Sequence, residues 1–176
     1  AIKAESGPDA LAGLSSARCS NEDNYVFQKM MRAAIGTNNV DHCARLCHAS
    51  TVAGLAITLG SGAMTNSIAE AADQDVVFVT GSNTTETHPV IGSLIRQAKK
   101  KGAKIIVAEP RRIPLCREAD VFLQIKPGTN VALFNGMMNV IIAEGLQDQK
   151  YIDERTEGYE ELKAVALAMP GKVEAK

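Results

Sequence analysis

The sequence predicts an α/β fold, a parallel sheet with helices on both of its faces. Three observations carry that expectation. "DVVFVT" (75–80) is a continuous apolar, β-branched run of the kind expected of a strand buried on both faces, and "AKIIVA" (103–108) and "VFLQI" (121–125) read as further strands. Segments of helical spacing lie between and after them, "VIGSLIRQAKKKG" (90–102) and "VALFNGMMNVIIAEG" (131–145). Strand and helix therefore alternate, the pattern of a parallel sheet joined by right-handed crossovers.

The remaining elements follow in chain order. "DALAGLSSAR" (9–18) reads as a short strand and its exit loop. Ser20 and Asp23 make a capping-box pattern, with Asp in the usual place of Glu or Gln and Asn21 as a rival cap. Phe27, Met30, Met31, Ala34 and Ile35 recur at helical spacing until Gly36 stops the helix, and the methionines read as core filler. A helix over 50–59, a glycine-containing loop and a short helix near 66–72 precede the first of the three long strands. A short helical piece follows "EPRR" (109–112), and a last helical region begins near "QKYIDERTEG" (149–158). No internal repeat or low-complexity segment interrupts this order.

Composition narrows the function classes. The 176 residues suit one domain or slightly more, with enough apolar content for a core. A formal net charge of −1 with both signs mixed gives no basic footprint for nucleic acid. No apolar run approaches membrane-spanning length, and no charged-then-apolar leader is read at the start. Four irregularly spaced cysteines are too few for a secreted disulfide framework, so reduced thiols in a cytoplasmic setting are expected.

Three loops leave the carboxyl ends of the strands, where a doubly wound sheet forms its binding crevice. They are "GSNTTETHP" (81–89), "EPRR" (109–112) and "KPGTN" (126–130). Gly81 allows close approach to the backbone, while Ser82, Asn83 and Thr84 offer hydrogen-bonding groups near a helix start suited to a diphosphate. Glu109 closes a strand where an acid takes ribose hydroxyls, and Arg111 and Arg112 bring forked donors. Gly128 and Thr129 repeat the helix-entry pattern, with Lys126 adding a cation. Such residues favour turns everywhere, but three such loops on one edge point to a nucleotide-like ligand. Neither GxGxxG nor GxxxxGK[ST] is present, so a standard NAD site and a P-loop are not supported.

The stretch "CARLCHAS" (43–50) concentrates the remaining chemistry. Structural zinc normally takes four ligands with a second close pair, and the remaining Cys19, Cys116, His42, His48 and His88 are scattered. Cys43, Cys19 and Cys116 read as small packed hydrophobes. Cys47 differs: His48 follows it, Arg45 is close, and a helix start is expected at Ser50, a setting that favours a thiolate. Nucleophile and soft-metal ligand both remain open for it.

Five segments resemble one family in order along nearly the whole chain. They are "GTNNVDHCARLCHASTVAGLAITLGSGAMTNSI", "GSNTTETHPVIG", "EPRR", "KPGTNVALFNGMMNVIIAEGL" and "ERTEGYEEL". They are similar to the catalytic subunit of molybdenum- or tungsten-dependent formate dehydrogenases, within the oxidoreductases that use a bis-molybdopterin guanine dinucleotide. The resemblance implies a Rossmann-like, molybdopterin-binding lobe over 41–176, incomplete here, and a segment 1–40 belonging to the end of a neighbouring pterin lobe. It implies Cys47 as the molybdenum or tungsten ligand and His48 as the proton acceptor when formate becomes carbon dioxide. Gly81, Asn83, Glu86, Arg111, Gly128 and Asn130 carry over as contacts of one guanine dinucleotide arm, with Ser82, Thr84, Pro110, Lys126 and Thr129 in the same loops. Glu109 and Asn130 stand where the family commonly has Asp. The family's 4Fe-4S cysteine motif, second pterin lobe and active-site arginine are absent from these residues, so the chain reads as a fragment. Its implied partners are formate, the missing lobes and electron-transfer subunits. A nitrate reductase type and a metal-free scaffold subunit of a respiratory complex are the rival expectations.

Overall fold

The computed structural model describes residues 1–168. They fall into two compact units, Ala1–Thr65 and a second from Asn66 onward.

The first unit opens with α1 (Ile2–Ser6), a turn at Pro8–Ala10 and the short strand β1 (Gly13–Ser15). The helix α2 (Asn21–Lys29) begins at Ser20, whose Oγ accepts from the Asp23 N–H at 3.1 Å while Asp23 Oδ2 accepts from the Ser20 N–H at 3.2 Å. The capping box with Asp is thus formed, and Asn21 is the first helical residue. From Met30 to Ile35 the chain widens into a π-turn before Gly36 ends it at a left-handed φ of 88°. That widening shifts the facing of successive residues. Met31 is 3% exposed and packs as expected, whereas Met30 is 45% exposed and does not.

A strand absent from the sequence expectations follows, β2 (Val40–His42), parallel to β1 with Gly13 opposite Val40 and Ser15 opposite His42. It places the expected 40/41 boundary inside this unit. Thr37, almost fully buried, ties the approach together by donating to Asp9 Oδ1 at 2.7 Å and accepting from the Asn39 N–H at 3.1 Å. Gly13 leaves room for the Phe27 ring, since a Cβ there would stand 2.7 Å from it and the ring would have to shift. Next come α3 (Ala44–Cys47) and α4 (Ala49–Leu59), the latter close to the expected 50–59.

The second unit is built on a three-stranded parallel sheet of β3 (Val76–Thr80), β4 (Lys104–Ala108) and β5 (Val121–Leu123), in that order. Between β3 and β4 lie α5 (Thr84–Thr87) and α6 (Pro89–Lys100), and after β5 come α7 (Asn130–Ala143), α8 (Gln149–Arg155) and α9 (Tyr159–Ala168). Period-two alternation sorts the strand residues onto two faces. Val79, Ile105 and Val107 form one core with Ile95 of α6 and with Ile113 and Leu115 of the segment after β4, while Val77 and Phe122 pack on it. Phe78 points the other way, edge-on to Phe134 of α7 at 5.9 Å between ring centroids. Helices therefore cover both faces, as expected. Only the central strand is enclosed as fully as its sequence promises: Ile105 and Val107 are 0% exposed, but Val76 on the flanking β3 is 54% exposed. An unbroken apolar run marks membership of the sheet, not centrality.

Asp120 anchors β4 from the turn before β5. Its Oδ2 accepts from the Ile105 N–H at 2.9 Å, and Lys99 and Lys104 approach its two oxygens at 3.3 Å each. The backbone N–H first, then the lysines, hold its carboxyl down at about 2 against an ordinary 3.8. A carboxyl depressed by folding stabilises the fold above its unfolded pKa and loses that stabilisation as pH falls through the folded one. Asp120→Asn is accordingly expected to be less stable than wild type at neutral pH, with the gap closing as pH drops from 3.8 toward 2. Urea midpoints measured across that window test this, and parallel profiles would refute it.

Candidate functional site

Cys47 is the last residue of the one-turn helix α3, and its N–H donates to the Cys43 carbonyl at 3.0 Å. His48 breaks the helix at φ −147° and ψ 29°, then its carbonyl accepts from the Val52 N–H at 2.8 Å to start α4. The helix thus begins at Ala49, one residue before the expected Ser50. Both side chains are exposed, and among the described residues neither has a side-chain hydrogen bond. Arg45 does not serve Cys47. Its Nε lies 2.6 Å from Asp41 Oδ2, an exposed pair in which the guanidinium is the first cause of the lowered Asp41 pKa. The positive neighbour expected for the thiol is therefore engaged with a carboxylate.

Cys43 is half-buried and tied to its surroundings. Its sulfur accepts from the Ala17 N–H at 3.3 Å and lies 3.7 Å from His42 Nδ1, which itself accepts from the Ala44 N–H. Cys43 belongs to the local packing of β2 and the 16–19 turn. Cys116 is half-buried against the core of the second unit, and Cys19 is exposed. Among the described residues no three His, Cys, Asp or Glu side chains gather as a metal cluster.

In the second unit, parallel strands put the three loops at one edge of the sheet, and hydrogen bonds tie the first two of them to the neighbouring strand ends. The Gly81 N–H donates to the Ala108 carbonyl at 3.3 Å, and the Glu109 N–H to Leu123 at 3.1 Å. Gln124 Nε2 donates to the Pro110 carbonyl at 3.1 Å. Gly81 takes φ 60° with open space where a Cβ would stand.

Within the first loop, Ser82 Oγ and Thr84 Oγ1 share a hydrogen bond of 2.8 Å, and Thr84 is buried. Asn83 leads into α5, where its carbonyl accepts from the N–H groups of Glu86 and Thr87, each at 3.0 Å. Asn83 Oδ1 and Thr85 Oγ1 are buried without any partner. Such orphans are uncommon in a finished fold; Gln147 Oε1 and Tyr159 Oη share the condition, and a water or a ligand group can complete each of them. α5 is clasped by α6 at Gly92, where a Cβ would lie 3.0 Å from the Thr85 Cα.

Glu109 is 7% exposed at the end of β4, with Oε1 accepting from the Arg111 N–H at 3.3 Å. Arg111 Nε approaches the same oxygen at 3.7 Å, yet 75% of the arginine side chain is exposed, so its outer nitrogens stay free for a ligand. Arg112 instead lies over the Phe122 ring at 5.5 Å. In the third loop, Thr129 Oγ1 donates to the Lys126 carbonyl at 2.7 Å, Gly128 turns at φ 82°, and Asn130 opens α7. Glu86, Lys126 and Asn130 are exposed. Thr85, Arg112 and Gln124 have roles that residue types alone did not assign, because an orphaned hydroxyl, a ring contact and a cross-loop latch depend on tertiary placement.

Among the described residues no helix is long and apolar enough to cross a membrane. The family model for molybdopterin oxidoreductases matches residues 1–164. The chain is 56% identical over 156 residues to the F420-dependent formate dehydrogenase 1 subunit alpha of Methanococcus maripaludis, covering 89% of this chain and 23% of that protein. It is 49% identical over 166 residues to formate dehydrogenase H of Escherichia coli, covering 94% of this chain and again 23% of the relative. Among solved structures, acetylene hydratase from Pelobacter acetylenicus superposes with a TM-score of 0.67 at 31% identity, over 96% of this chain and 23% of that one. The chain spans less than a quarter of the length of these relatives.

Proposed function

The chain belongs to the molybdopterin oxidoreductase family, and on that premise we propose that it forms part of the catalytic subunit of a formate dehydrogenase. The observation that carries the reading is the α3–α4 junction, where an exposed thiol and an exposed imidazole stand on consecutive residues with no competing side-chain bond. The names of the similar subunits support the same substrate. Fold alone would not, since a hydratase shares it.

The residues fit a molybdenum or tungsten pterin. Cys47 would be its single soft ligand from this chain. The loop edge would hold a guanine dinucleotide arm, with Asn83 Oδ1 and Thr85 Oγ1 supplying unspent bonding capacity. Glu109 would take hydroxyls, Arg111 and Lys126 phosphate oxygens, and Gly81 and Gly128 would admit the ligand to the backbone. The chemistry such a group supplies when bound is two-electron redox. Formate loses its C–H bond and becomes carbon dioxide, one proton and two electrons; His48 receives the proton on a ring nitrogen. Onward electron transfer is assigned to a 4Fe-4S cluster and partner subunits outside these residues.

The test uses the full-length protein purified without oxygen. Formate-dependent viologen reduction is expected, together with bound molybdenum or tungsten and GMP released by acid hydrolysis. A metal-loaded protein that ignores formate but reoxidises reduced viologen with nitrate would move it to the nitrate reductase type. Absence of both metal and GMP would favour the scaffold reading.

A further inference from the structure

The turn that carries Cys47 and His48 is held from its N-terminal end. α3 has four residues, too few for a helix to sustain itself by its own ladder. Ala44–His48 are exposed, whereas Asp41, His42 and Cys43 before them are half-buried. Each of these three makes a local bond with its side chain. Asp41 Oδ1 accepts from the His42 N–H at 2.8 Å, and Oδ2 accepts from Arg45 Nε at 2.6 Å. Cys43 Sγ accepts from the Ala17 N–H at 3.3 Å. His42 Nδ1 accepts from the Ala44 N–H at 3.3 Å, with the Cys43 sulfur 3.7 Å away. An acceptor nitrogen of this kind carries no proton. The His42 backbone is itself fixed in β2, opposite Ser15 of β1.

The residues held in this way hold the functional pair in turn. The Cys43 carbonyl accepts from the Cys47 N–H at 3.0 Å, and the Ala44 carbonyl accepts from the His48 N–H at 3.3 Å. The Ala44 N–H stands at the helix start, where no carbonyl of the helix can satisfy it, so the imidazole of His42 supplies the acceptor. A bonded route therefore runs from β2 through Ala44 to His48. We propose that His42 is a positioning residue: its Nδ1 fixes Ala44 and, through the Ala44 carbonyl, sets where His48 stands beside Cys47. The role in turnover rests on the reading of His48 as proton acceptor. The geometry does not, because every bond in the route lies between residues 15 and 48 of the chain itself.

The test compares His42→Asn, His42→Gln and His42→Ala in the full-length protein. An asparagine Oδ1 follows Cγ directly, as Nδ1 does, and can accept from the Ala44 N–H; glutamine carries its oxygen one bond farther out, and alanine has none. In metal-free protein, millisecond hydrogen exchange over residues 44–48 should be about 5-fold faster in His42→Ala and His42→Gln, the scale of one lost capping bond. His42→Asn should stay within twofold of wild type, and β4 should be unchanged in all three. In samples matched for metal, kcat for formate should fall about 5-fold in the alanine and glutamine variants, with KM within twofold, and recover in His42→Asn. A general folding defect has no reason to spare asparagine and penalise glutamine. Wild-type exchange or wild-type kcat in His42→Ala overturns the proposal, as does equal behaviour of the asparagine and glutamine variants. Should His42→Ala fail to fold, the asparagine–glutamine pair decides. If wild type does not turn over formate, the reading of His48 falls, and the exchange comparison still decides whether His42 sets the turn.

Discussion

Replacing Cys47 by serine in the full-length protein is expected to lower formate oxidation by roughly 10²–10³-fold or more, the scale on which losing one group at the reacting centre registers. A serine hydroxyl is nearly isosteric with the thiol but harder and far less acidic, so it keeps the turn while removing the soft donor. The turn itself should tolerate the change, because Cys47 is exposed and its only hydrogen bond here is made by its backbone. Cys43→Ser is the matched control. Its sulfur serves as an acceptor for the Ala17 N–H at 3.3 Å, a role that a hydroxyl also fills, so activity should stay within a few-fold of wild type. Metal content measured on the same samples separates a lost ligand from a lost centre. Wild-type turnover in metal-loaded Cys47→Ser would remove the assignment, and equal losses in both variants would point to a general effect on the β2–α4 segment.

The parts of this fold that were legible in the sequence are those whose signal is local. The Ser20–Asp23 box could be read because both partners lie within one turn. The three strands of the second unit could be read because each carries a mostly apolar run, and their parallel pairing put the three loops at one edge. β2 escaped because three residues, one of them Asp41 and one His42, carry no periodicity; its partner β1 lies far back along the chain. Met30 was misjudged, while Met31 packs as expected, because a π-turn breaks the 3.6-residue spacing on which the expectation rested. The setting of Cys47 was half legible. Its neighbour in sequence, Arg45, turns to Asp41 one helical turn earlier, and nothing in the sequence ranks that carboxylate above the thiol as its partner. The orphaned oxygens of Asn83 and Thr85 lie beyond any sequence pattern, since burial without a partner is a property of the packed molecule.

Leu115→Ala should be the most damaging apolar truncation in the second unit, costing about 3–5 kcal/mol, the range for buried leucines whose surroundings collapse only partly. Leu115 is 0% exposed and sits in the core with Val79, Ile95, Ile105, Val107 and Ile113. It belongs to no long element. The chain there is a single 3₁₀ turn, Pro114–Arg117, so its placement depends on side-chain packing more than on a helical ladder. That same segment carries Glu109 and Arg111 into the loop edge, and the Arg111 carbonyl accepts from the Ile113 N–H at 2.9 Å. The expected loss is a large share of the roughly 5–15 kcal/mol that holds a typical domain together. Urea unfolding should therefore move to a much lower midpoint, and cofactor retention should fall as Glu109 and Arg111 lose their fixed spacing. Leu162→Ala, at a half-exposed position on α9, should cost far less because little apolar area is buried there to lose. Should the two variants unfold at the same urea concentration, the core drawn around Leu115 is not what positions the loop. Should Leu115→Ala unfold early yet keep its cofactor at low temperature, the loop is held by Gln124 and the β4–β5 ladder instead.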